Sequence, residues 1–354
     1  MKRKPLILIL ASLSLAILPT VAKDPEIPKT TTQEKPADKP ADKPGDTAAP
    51  TVKKEEVVTS VEAAFKKYFI ATPLIAGESS LFYIPVAING EDRVMILDSG
   101  ADSIVVNKQI ADDAKIPLKV IGKAIGPGRD GGKIFGGKID TFKVAKNYDL
   151  GSPDVGFLDL SNLSTLNNAD GTTSPNAGQL GLGFLNAIPC AVDYPNKRLM
   201  VQKENIQGGI TSICEQLGDK VAPMVEDGAR RRYVLATIAG KEAYFLVDTG
   251  SAYNVVYLPA AETFGLKIID RTVKVSSIGH DNADTKVAKV DSLILGTLNV
   301  GGDLEVVVLP HPEPLPKIGE IPVVGIFGGT LFDPLKATID FASNKISMAI
   351  TRKK

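Results

Sequence analysis

The sequence predicts an all-β protein of two similar lobes with a few short helices. Three observations carry that expectation. Val, Ile and Leu fall in short runs broken by 32 Gly and 24 Pro, which is the punctuation of strands and turns rather than of long helices. The 354 residues, 44% of them apolar, are enough for two ordinary domains or one large one. Above all, the chain repeats itself.

The repeat runs from a hairpin to a closing strand. YIPVAINGEDRVMILDSGADSIVV begins at Tyr83, and YVLATIAGKEAYFLVDTGSAYNVV begins at Tyr233. Tyr83 and Tyr233, the turn glycines Gly90 and Gly240, and Asp98 and Asp248 all coincide at an offset of 150. Each copy reads as strand, Gly-centred turn, strand and Asp-bearing loop. Further on, Gly178-Gln-Leu-Gly181 and Gly325-Ile-Phe-Gly328 each end 12 residues before an aspartate, Asp193 or Asp340. An aromatic, a turn with Asn and Lys, and an alternating strand follow in both copies. Agreement at such separated positions implies internal duplication, hence two lobes about a pseudo-two-fold axis.

The remaining segments fill in the organisation. Lys2, Arg3 and Lys4, an apolar run and a small-residue site ending at Ala22 predict a signal peptide over residues 1–22, and thus a secreted or periplasmic protein without a stable membrane span after cleavage. Its removal leaves 38 basic against 41 acidic residues, with no basic excess to suggest a nucleic-acid partner. Residues 23–56, with KPAD, KPAD and KPGD in succession, have almost nothing apolar to bury and predict a disordered tether that keeps the folded part near the cell envelope. The first lobe spans 57–205, opening on a short helix or strand within VTSVEAAFKKYF; a connector spans 206–230 and the second lobe 231–354. Cys190 and Cys214 are compatible either with a disulfide or with two buried thiols.

Chemistry is expected at the repeated triplets. One Asp-hydroxyl-Gly turn means little, since Asp commonly caps turns. Two copies in a duplicated frame bring Asp98 and Asp248 face to face. Carboxylates about 3 Å apart share one proton, because both cannot ionise comfortably. The ionised member can take a proton from water while the protonated member polarises a carbonyl, which is hydrolysis by general acid–base catalysis without metal or cofactor. Gly100 and Gly250 permit close approach of the backbone. Ser99 and Thr249 can bond to backbone and lock the loops.

With those residues in place, the sequence resembles the aspartic proteases, and each half resembles a retropepsin-type aspartyl protease domain. The likeness lies in Asp98-Ser-Gly-Ala101, Asp248-Thr-Gly-Ser251 and the elements Gly178 to Gly181 and Gly325 to Gly328. It covers roughly residues 80–350 and is weak between the motifs. It implies two β-barrel lobes arranged as a single-chain, pepsin-like pseudo-dimer, most simply a monomer. Each lobe would give one catalytic Asp, the Gly elements would support the Asp loops, and Ser99 and Thr249 would grip the opposite loop. A peptide or protein substrate would lie extended beneath hairpin flaps whose tips include Ile125 and Gly126 in one lobe and Ile278 and Gly279 in the other. Neither flap has the Tyr that pepsin-like enzymes carry. Two other readings stand beside the endopeptidase: a non-catalytic peptide binder on the same fold, and half-sites each completed by another chain.

Other motifs are weaker. Gly126 to Gly131 fits GxGxxG but no helix follows, and Gly132 to Lys138 nearly fits a phosphate loop but Ile139 stands where a hydroxyl is needed. His280 and His311 have no G-x-S-x-G partner and form no zinc pattern. Asp193 and Asp340 are expected to hold turns. Asp102 follows the first triplet, where the second half has Ala252 and then Tyr253.

Overall fold

The computed structural model describes residues 7–10, 14–16, 61–126, 129–203, 206–277, 280–311 and 314–349. The expected tether lies outside them. The segment VTSVEAAFKKYF resolves into both of its expected alternatives: helix α1 (Val61–Tyr68) runs directly into strand β1 (Phe69–Pro73).

The first lobe then lays down β2 (Phe82–Ile88), β3 (Glu91–Leu97), β4 (Ile104–Asn107), α2 (Lys108–Asp113), β5 (Lys119–Gly126), β6 (Arg129–Lys138), β7 (Asp154–Leu158), β8 (Thr173–Leu180) and α3 (Leu182–Leu185). The strands that meet side by side run β2–β3–β8–β4–β7–β6–β5. β3 and β8 are parallel, as are β4 and β7. β9 (Cys190–Asp193), β10 (Arg198–Gln202), α4 (Gly209–Gln216) and β11 (Lys220–Glu226) follow.

The second lobe repeats the plan with β12 (Arg232–Ile238), β13 (Lys241–Val247), β14 (Val255–Tyr257), α5 (Leu258–Phe264), β15 (Lys267–Ser277), β16 (His280–Val290), β17 (Leu304–Leu309), β18 (Ile321–Phe327) and α6 (Gly329–Phe332). Its order is β12–β13–β18–β14–β17–β16–β15. Each strand occupies the place of its counterpart, and the two parallel pairs recur. The duplication read from the residues is therefore a duplication of topology, and the fold is all-β with short helices.

A central sheet ties the halves together. Its order is β1–β10–β9, then β19 (Ala337–Asp340), β20 (Lys345–Met348) and β11. β9 and β19, the strands that end on Asp193 and Asp340, pair antiparallel across the axis, with Val192 opposite Ile339. Asp193 and Asp340 hold the following turns as expected. Asp193 accepts from Asn196 Nδ2 at 2.8 Å and Arg198 Nε at 2.7 Å, and Asp340 accepts from Ala342 N at 3.0 Å and Ser343 Oγ at 2.7 Å. The connector is built into this layer: α4 packs on the sheet and β11 pairs with β20. Both cysteines are buried thiols outside any disulfide. Across the lobes, Phe82 packs on Tyr194 (ring centroids 4.7 Å apart), and Tyr194 packs on Phe332 (5.6 Å).

Two short N-terminal strands join the lobes at their hairpins. Ile7–Leu10 runs parallel to β15, and Ser14–Ala16 runs antiparallel to β5. Among the described residues no helix is long and apolar enough to cross a membrane.

Arg232 is buried where connector and lobes converge, 1% exposed. It donates to Asn344 Oδ1 (3.1 Å), Phe341 O (3.3 Å), Arg230 O (2.5 Å) and Asn186 Oδ1, and pairs with Glu226 at 3.0 Å. Its removal strands acceptors from both halves. Arg232→Ala is expected to destabilise the fold by about 3 kcal/mol, read as a lower urea midpoint, and an unchanged midpoint would contradict this role.

Candidate active site

Each Asp loop lies between the second hairpin strand of its lobe and the next strand. Asp98 N donates to Leu180 O at 3.1 Å, and Asp248 N to Phe327 O at 3.0 Å. The strand bearing the Gly-x-x-Gly element therefore sets the height of the aspartate. It lies close to the loop, which is why glycine is required. A Cβ on Gly178 would fall 2.0 Å from Val105 O, and one on Gly325 would fall 2.0 Å from Val255 O. On Gly181 and Gly328 it would meet Ser103 O and Ser251 O, each at 2.3 Å.

The two loops grip one another. Ser99 Oγ donates to Val247 O at 2.8 Å and accepts from Thr249 N at 3.0 Å. Thr249 Oγ1 donates to Leu97 O at 2.8 Å and accepts from Ser99 N at 3.0 Å. Each hydroxyl thus uses its donor and an acceptor on the opposite lobe.

This grip brings Asp98 and Asp248 together, both fully buried and within hydrogen-bonding reach of each other. Each glycine of the triplets covers the opposite carboxyl. A Cβ on Gly100 would lie 2.5 Å from Asp248 Oδ2, and one on Gly250 would lie 2.3 Å from Asp98 Cγ. Asp98 Oδ1 accepts from Gly100 N (2.9 Å) and Ala101 N (3.1 Å), and Asp248 Oδ1 accepts from Gly250 N (2.8 Å). Burial pushes both carboxyls above the usual range, and the charge of Asp248 raises Asp98 further. The pair therefore holds a proton that a lone exposed carboxylate would release.

The residues singled out in the sequence divide clearly. Asp98, Asp248, Ser99, Thr249, Gly100, Gly250, Gly178, Gly181, Gly325 and Gly328 converge on one place. The hairpins expected to carry the flaps are present as β5–β6 and β15–β16. Ile125 and Gly126 end β5, while Ile278 and Gly279 fall outside the described residues. The GxGxxG run is part of a hairpin, and the near phosphate loop lies in β6. His311 stacks on Tyr257, with ring centroids 4.3 Å apart. Asp102 stands 3.8 Å from Arg231, an ion pair without a counterpart at Ala252.

One contact was missed: Gln179 Nε2 donates to Asp98 Oδ2 at 2.6 Å. A polar residue inside a buried apolar-Gly element, where the second half has Ile326, was the available signal.

Two predictions follow from this geometry. Ser99→Ala is expected to destabilise by about 1–3 kcal/mol, and because Thr249→Val breaks the same network, the double variant should lose less than the sum. Thermal melts of the four proteins measure this, and additive losses would dissolve the shared grip. The raised carboxyl pKa values also oppose folding as pH rises. Their favourable contribution is complete below about pH 4, where unfolded carboxyls are protonated too, and is lost as pH climbs through the raised range. Asp248→Asn should therefore melt above wild type near neutral pH and gain little near about pH 4.

A family model described as aspartyl protease matches residues 234–331. Among solved structures, an aspartic proteinase from Irpex lacteus is similar over 80% of this chain and 98% of its own, at 11% identity and a TM-score of 0.42. No curated protein matches the sequence. The family match falls in the second half of the chain, and the first half repeats that half's strand order, Asp loop and supporting glycines.

Proposed function

We propose that the protein is an exported aspartic endopeptidase that cleaves peptide bonds with water activated between Asp98 and Asp248. The observation that carries this reading is the meeting of two buried carboxyls, one from each half, inside a reciprocal grip. In the monoprotonated pair, the carboxylate accepts a proton as the water oxygen attacks the carbonyl carbon. The carboxylic acid gives its proton to the carbonyl oxygen. A carboxyl then protonates the amide nitrogen of the tetrahedral diol while the other carboxylate takes a proton from a diol hydroxyl; the C–N bond breaks, an acid and an amine leave, and the pair is monoprotonated again.

The hairpins β5–β6 and β15–β16 suit an extended substrate. Each pairs along its outer strand with a piece of residues 1–22, and cleavage of the signal peptide would leave that edge to a substrate strand. Both halves of one chain contribute to the dyad, so this mechanism requires no second chain. Export rests on the basic, apolar and small-residue order of residues 1–22.

The test is a peptide-library digest. Wild type is expected to cleave best below neutral pH, with activity lost at high pH when the last shared proton leaves and at low pH when the pair gains a second. Asp98→Asn and Asp248→Asn should each fall to background, while a chelator changes nothing. Near-parental turnover in either variant would defeat the shared dyad. A folded wild type that binds peptides without cutting them would favour the non-catalytic binder.

A further inference from the structure

The two Asp loops match in backbone but differ in the side chain that reaches the carboxyl. Gln179 pairs with Ile96 and Val105, and Ile326 pairs with Leu246 and Val255. Those partners are equivalent at the 150-residue offset of the repeat, so Gln179 and Ile326 hold one position in two lobes. Each is 1% exposed. Burying an amide in a strand is costly unless it is bonded, and the second lobe shows that an aliphatic residue fits the position.

What the amide contributes is a donor. Asp98 takes N–H bonds on both oxygens, from Gly100 and Ala101 on Oδ1 and from Gln179 on Oδ2. A second asymmetry complements the first. Three residues after Asp248, Ser251 turns its hydroxyl to Tyr253 O at 2.8 Å; three residues after Asp98, Ala101 has no hydroxyl to offer.

Other groups around the pair are shared or remote from this oxygen. Asp248 faces Asp98 from the opposite loop. Tyr194, after β9, and Tyr257, on β14, feel the Asp248 charge. The Asp102–Arg231 ion pair stands beside the first triplet. The β3 and β4 residues beside Gln179, Ile96 and Val105, are apolar.

We propose that Gln179 is a positioning residue of the dyad: its amide N–H fixes the Asp98 carboxyl and favours the ionised form of that carboxyl over its neutral form. The kinetic part of this rests on the peptidase reading, whereas the titration part stands without it.

The experiment is carboxyl carbon NMR titration of the full chain labelled at Asp, with Asp98 assigned through Asp98→Asn, alongside kcat and KM against pH. In Gln179→Ile, which copies the second lobe, the Asp98 midpoint should rise by about one pH unit. The pH profile of kcat should move with it, and KM should change little. A purely structural role would lower the melting temperature and the rate at every pH without moving the midpoint. If Gln179→Ile fails to fold, the near-isosteric Gln179→Glu decides, and its added acid should raise the midpoint further. An unchanged or lowered midpoint in a folded variant overturns the proposal. If wild type cleaves nothing, the peptidase reading falls while the titration still decides the role of Gln179.

Discussion

Everything at this site depends on the exchange of two hydroxyls across the pseudo-two-fold axis. Ser99 and Thr249 each bond the backbone of the other lobe, donating to a strand-end carbonyl and accepting from a loop N–H. Such a network closes only when two similar loops meet in one orientation. The matched strand orders deliver that orientation, and the β9–β19 pairing fixes the lobes beneath it. The residue types then follow. The triplet needs a short hydroxyl in its second place and no side chain in its third, because the opposite aspartate occupies that space.

The same arrangement works against stability. Two carboxyls are fully buried within reach of each other, and their raised pKa values record the cost of charging them there. The fold offsets this with a rigid floor: the central sheet, the aromatic contact from Phe82 through Tyr194 to Phe332, and Arg232 bonded into both halves. The buried pair thereby sits on a well-supported base, flanked by the β5–β6 and β15–β16 hairpins.

How much was legible follows from how local each constraint is. The Asp loops and Gly elements were readable because close contact restricts the residue type itself, and because the repeat doubled a weak signal. The hairpins were readable from alternation and turn glycines. The central sheet was legible only in part: the turns joining β9 to β10 and β19 to β20 are local, whereas the β1–β10, β9–β19 and β11–β20 pairings span long separations that no local pattern records. The connector carried no expected element because α4 and β11 have no counterpart motif to align with. Gln179 lies within the Gly178 to Gly181 motif, yet nothing in the motif records that the strand places its amide against Asp98. The cysteines stayed ambiguous because spacing does not determine whether two thiols meet.

The central claim is that two half-sites make one site. Its most direct measurement is the calorimetric binding stoichiometry of a pepstatin-like transition-state mimic. The account predicts one molecule bound per chain, with binding lost on amidation of either aspartate. Two molecules per chain, or binding indifferent to Asp98→Asn and Asp248→Asn, would contradict it.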